Sequence, residues 1–147
     1  MKKVLDKIFM LLTLFVVLLT VAACSKDTPD SKENPVSKEY PVTVEATVVK
    51  VLPDDEKGAK HQRFLIHIDK VLENPKSVPV DTKGNVLVAL RYGDKDGIPE
   101  RLHLEHAIGK HMELKGMYVP NDGDKDPVLH FTHHPVGYVK FDNHVYR

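Results

Sequence analysis

The stretch Val42-Thr-Val-Glu-Ala-Thr-Val-Val-Lys-Val51 decides the fold. Its apolar residues fall on alternate positions through Val48, the two-residue period of a strand with one buried face. The phase then slips, because Val48 and Val49 are adjacent and Val51 follows. A slip inside a first strand predicts a β-bulge, which bends a strand and lets a sheet curl into a barrel.

Further along, the same period recurs. Leu52–Lys60 (LPDDEKGAK) is a polar loop with turn residues. His61–Asp69 reads as a second strand, with Phe64, Ile66 and Ile68 on one face and Arg63, Leu65 and His67 on the other. Val86–Tyr92 is a third. Pro99–Ile108 carries Pro and Glu at its front, Leu104 and Ile108 four apart, and Gly109 just past its end, the start and stop marks of a short helix. Alternation resumes in a fourth strand at His111–Val119 and a fifth at Val128–His134. Tyr138–Phe141 and His144–Tyr146 flank Asp142-Asn143, a two-residue hairpin turn. The order strand, strand, strand, helix, strand, strand predicts a mainly β fold. It is a small five-stranded Greek-key barrel of the oligonucleotide/oligosaccharide-binding type, with one short helix and a C-terminal hairpin.

Ahead of this domain lie two segments of different composition. Lys2 and Lys3 precede the apolar run Ile8–Ala23, and Val21-Ala22-Ala23 leads into Cys24, the chain's one cysteine. That order is the anatomy of a secretory signal, and the run falls short of the roughly 20 residues of a spanning helix. The VAAC string resembles the lipobox of bacterial lipoproteins. The resemblance implies cleavage after residue 23, lipidation of Cys24 with acyl chains such as palmitate, and anchoring to a cell membrane on its extracytoplasmic face. Ser25, in place of Asp, resembles the signal that sends lipoproteins to an outer membrane where one exists. Residues 24–41 mix Ser, Lys, Asp, Glu and Pro and read as a disordered tether. Residues 42–147 make the barrel domain.

Composition narrows the function classes. With Cys24 lipidated, the domain has no thiol for a disulfide, a nucleophile or a metal site. The 21 basic and 21 acidic residues balance, and there is no tryptophan, which argues against nucleic acid as a partner. Nine histidines stand out. His130-Phe-Thr-His-His-Pro135 is their densest run, and a divalent metal such as zinc is the cofactor these ligands would suit. Spacing works against it. On a regular strand His130 and His134 share a face but lie roughly 13 Å apart, at about 3.3 Å per residue, and His133 points the other way. A metal site at His61, His133 and His134 therefore requires the strand to break near Pro135. A metal-dependent hydrolase on the same histidines is the alternative to a binding module; a hydrolase with His61 or His133 as general base and Asp54 or Asp55 as its orienter is a separate catalytic reading. Asp94-Lys-Asp96-Gly97 and the acidic Asp122–Asp126 string lack the spacing of a calcium loop and read as turns.

The strings Leu52-Pro-Asp-Asp55, His61-Gln-Arg-Phe64, Leu114-x-Gly116-x-Tyr118 and His130-Phe-Thr-His-His-Pro135, in this order, resemble a family of small bacterial secreted proteins grouped as a domain of unknown function. The likeness runs from Val44 to Tyr146. Where such relatives read His-Trp-Thr-His-His, this chain has Phe131, and it carries longer segments at KSVPVDTKGN and GDKDGIPE. The resemblance implies an exported barrel whose shared site would use His61, Arg63, Thr132, His133 and His134. Together these readings point to a membrane-anchored module that binds a small ligand, a metal or an envelope partner.

Overall fold

The computed structural model describes residues 38–123 and 125–147. The signal segment, Cys24 and the tether as far as residue 37 lie outside the described residues. Seven strands follow in order: β1 (Tyr40–Asp55), β2 (His61–Glu73), β3 (Val86–Arg91), β4 (His111–Val119), β5 (Val128–His130), β6 (Tyr138–Phe141) and β7 (His144–Tyr146). β1 thus begins two residues ahead of the expected boundary, and β2 runs on to Glu73.

Five strands close on themselves. β1 pairs antiparallel with β2, β2 with β3, and β4 with both β5 and β1, while β3 and β5 run parallel. The circuit β1-β2-β3-β5-β4 is a closed Greek-key barrel of the expected kind. The phase slip at Val48-Val49 is a register shift between Val48 and Lys50, one of four along the β1–β2 ladder. These shifts let one long strand turn between β2 and β4. Inside, Val42, Val44, Ala46 and Val48 meet Phe64, Ile66 and Ile68, with Val86, Val88, Leu90, Leu114, Tyr118 and Leu129 completing the core. Each large apolar side chain so buried stabilises the barrel by about 1.5–3 kcal/mol.

Two expectations are corrected. There is no helix among the described residues; Pro99–Ile108 is irregular. Its buried residues are Leu102, Leu104 and Ala107, whereas Ile108 is 66% exposed, so the four-residue spacing of Leu104 and Ile108 does not mark one buried face. Instead the buried Gln62 side chain donates to the Leu102 carbonyl (2.9 Å) and accepts from the Leu102 N–H (3.0 Å), holding the segment extended under the barrel. The fifth strand also ends early, at His130 rather than His134. Phe131 takes a left-handed conformation (φ 52°) and the chain leaves the sheet. β4's edge is then taken over by β6, which pairs with Glu113–Lys115. The β6–β7 hairpin turns through Asp142 and Asn143, both left-handed (φ 46° and 63°), as a two-residue turn with Asx residues predicts.

Candidate functional site

On β2, the residues between the buried Gln62, Phe64 and Ile66 are half-buried and face outward: His61, Arg63 and Leu65. β3 presents Leu87, Ala89 and Arg91 in the same way, and β5 presents His130. Register aligns them. His61 sits opposite Arg91, and Arg63, Ala89 and His130 form one row across three strands. Strands lie about 4.8 Å apart, so Arg63 and His130 flank a small residue across roughly 10 Å.

Beyond β5, residues 131–137 form a loop seated on β4 by two close approaches. A Cβ at Gly116 would meet the His130 carbonyl at 2.5 Å and the Thr132 methyl at 2.8 Å. A Cβ at Gly137 would collide with the Lys115 carbonyl oxygen. The His133 carbonyl accepts from the N–H of Val136 (3.1 Å) and Gly137 (2.8 Å), which closes the loop.

The predicted site residues separate. Thr132 is fully buried and His133 is 6% exposed, while His134 points to solvent. The His133 Nδ1 lies 3.0 Å from the His134 carbonyl. A carbonyl only accepts, so Nδ1 carries the proton and the neutral ring has its lone pair on Nε2. Between them Phe131 is 41% exposed, its ring 4.4 Å from that of His130 and 6.0 Å from that of His133. Arg63 donates through Nε to the Pro53 carbonyl (3.0 Å) and has no other hydrogen-bond partner among the described residues. Among the described residues no three His, Cys, Asp or Glu side chains converge to hold a metal ion. His61, His133 and His134 therefore offer no preassembled zinc site.

His130 is the residue on which the arrangement bears most. Burial holds its ring below the ordinary histidine value of 6.5. The Glu39 carboxylate opposes this, and the nearby His61 and His133 rings reinforce it. Glu39 Oε1 lies 3.3 Å from His130 Nε2, yet off the N–H direction, so Nε2 is buried without a made hydrogen bond. The Thr132 hydroxyl is the other buried side-chain polar atom without a partner among the described residues.

Sequence reasoning missed Glu39 as a site residue, and also the supports around the face. Arg91 pairs with Asp94 (2.8 Å) and Asp96 (3.1 Å), and Arg91 holds the Asp94 carboxyl below its usual range. Asp54 accepts from the Tyr92 hydroxyl (2.8 Å) and pairs with Arg101 (3.0 Å), so the Leu52-Pro-Asp-Asp55 string ties β1 to the irregular segment. Gln62 did leave a signal: it is the polar residue in phase with Phe64 and Ile66.

No curated protein and no solved structure matches the chain significantly. The family model described as "Protein of unknown function (DUF3465)" matches residues 14–147, and the chain belongs to that family.

Proposed function

We propose that the protein is a lipid-anchored binding module of the cell envelope. Cys24 would carry the lipid, and the outer face of β2–β3–β5 with the 131–137 loop would take the ligand. One observation carries this reading. Among the described residues the two buried side-chain polar atoms without partners, His130 Nε2 and Thr132 Oγ1, flank an exposed aromatic residue in a left-handed conformation. A bulky residue in that region is a steric outlier, costing of order 1–3 kcal/mol, and native proteins keep such costs where a site needs them. Buried groups without partners call for the same kind of explanation.

The fold adds support by analogy alone: barrels of this topology bind extended ligands across strands two and three. His61, Arg63, His130 and His133 supply hydrogen-bonding groups there, Phe131 an apolar surface, and His134 the solvent-exposed rim.

The test is a two-part measurement on the full chain. Histidine ring resonances are followed while acetate, inorganic phosphate and a neutral disaccharide are added in turn. Shifts confined to His61, His130 and His133 are expected for at least one probe; shifts spread evenly over all histidines would overturn the assignment. Mass spectrometry of the N-terminal peptide from the membrane fraction is expected to show an acylated Cys24, and an unmodified Cys24 there would refute the lipid anchor.

A further inference from the structure

Glu39 stands just before the first strand residue, Tyr40, outside the sheet's ladder. Among the described residues its one side-chain interaction is with His130, across β4 on the outer face. That contact is half made, with the distance of an ion pair and without the direction of a hydrogen bond. His130 is in turn an outward residue of a very short strand, and its side chain is only 26% exposed, with Glu39 at 3.3 Å and the Phe131 ring 4.4 Å from its own. The charged and titratable groups facing His130 are Glu39 ahead of β1, His61 on β2 and His133 in the loop. Nearby Asp94 is already neutralised by Arg91. His130, with the His61 and His133 rings near it, thus meets a single carboxylate whose side chain makes no other interaction among the described residues.

We propose that the His130 site is a carboxylate-binding site, and that Glu39 fills it as an internal occupant which an external carboxylate displaces. This deepens the reading of the β2–β3–β5 face as a ligand surface and rests on it. An external carboxylate approaching along the Nε2–H direction makes the hydrogen bond that Glu39 leaves unmade, and charge-assisted bonds of that kind are among the stronger ones. The ligand class is therefore an organic acid or an acidic side chain of an envelope polypeptide, sharing the carboxylate. Because Glu39 competes from within, the free chain binds more weakly than its site allows, by the fraction of molecules in which the site is open.

Acetate and a triglutamate peptide, each titrated into the full chain in detergent while the His130 ring resonance is followed, test this. Glu39→Gln is expected to lower the acetate concentration at half-shift by about fivefold or more. In His130→Gln on the Glu39→Gln background the His61 and His133 ring resonances are followed instead and are expected no longer to shift, with the same two resonances in Glu39→Gln alone as the folding and response control. A tighter response to triglutamate than to acetate would assign the ligand to a polypeptide, and the reverse to a free acid. Equal half-shift concentrations in the wild type and Glu39→Gln would overturn the proposal. Should phosphate or the disaccharide move His61 and Phe131 while neither carboxylate acts, the carboxylate assignment falls and the binding face stands. Should no probe act, both fall.

Discussion

The barrel wears two unlike faces. On the β1–β4–β6 side, charges are matched at the surface. Thr43 donates to Glu73, which also meets Lys115; Thr47 donates to Asp69 beside His111; Glu113 accepts from both Tyr138 and Lys140. On the β2–β3–β5 side, His61 and His134 make no side-chain hydrogen bond among the described residues, Arg63 uses one nitrogen, and His130 has a misaligned partner. The difference teaches how each face is held. The first is braced across its surface by side chains; the second, apart from Arg91 with Asp94 and Asp96 beside His61, is supported from below by backbone seating and buried polar contacts.

Changes beneath the open face should therefore cost most. Gly137→Ala places a methyl group against the Lys115 backbone, which cannot yield without parting β4 from β6. A loss at or above the upper end of the roughly 1–3 kcal/mol range for overpacking is expected in denaturant unfolding. Gly116→Ala meets the His130 carbonyl and the movable Thr132 methyl, and falls within that range. A Gly137→Ala protein as stable as the wild type would show that the loop is not seated on β4.

Next comes the support under β2. Gln62→Leu keeps the volume and the apolar phase but strands the buried Leu102 N–H and carbonyl. A cost of about 2–3 kcal/mol is expected, from the desolvation of two backbone groups. Retained stability would mean that the 99–108 segment finds other partners, and that Gln62 does not hold it.

These two positions also show what was legible in the chain. Alternation is a local property, so strands β1 to β4 and the final hairpin could be read from the residues they contain. The path after His130 could not. It depends on Gly116 and Gly137, whose role is to lack a Cβ at places fixed only when β4 and the loop meet. The 99–108 segment failed for a related reason: capping residues and a four-residue apolar spacing suit a helix, and tertiary packing through Gln62 overrides that local preference. Of the candidate residues, His61 and Arg63 reached one face because period two fixed their side. His133 and His134 were adjacent in sequence and parted by the loop's turn. Glu39 was invisible as a partner of His130, since nothing local links a strand's entry to another strand's end.

On the open face itself the expected sign reverses. Phe131→Asn replaces a bulky left-handed residue with one that tolerates this conformation, and gains about 1 kcal/mol in unfolding free energy. The same variant should lose the ligand response of the His130 face. A variant less stable than the wild type would mean that the ring's contacts with His130 and His133 outweigh its backbone cost, and would weaken the case for a functional constraint.

The smallest effect separates the faces by pH. His130 is held below 6.5 by burial, so the unfolded chain takes up its proton first as pH falls. Folding stability then declines on acidification from about 6.5 toward the folded value. Glu113 is held below 4.5 by hydrogen bonds from Lys140 and Tyr138, so its contribution is intact above 4.5 and is lost as pH falls through its folded value. Both slopes have the same sign, the first setting in as pH falls past about 6.5 and the second only below 4.5. In unfolding midpoints measured from pH 8 to pH 3, His130→Gln should flatten the upper limb that begins near 6.5, and Glu113→Gln should leave everything above 4.5 unchanged. Glu39→Gln should steepen the upper limb, because removing the countercharge pushes His130 further down. An upper limb that ignores both substitutions would show that His130 is as well solvated as the paired side chains across the barrel, and the distinction between the two faces would fail at its centre.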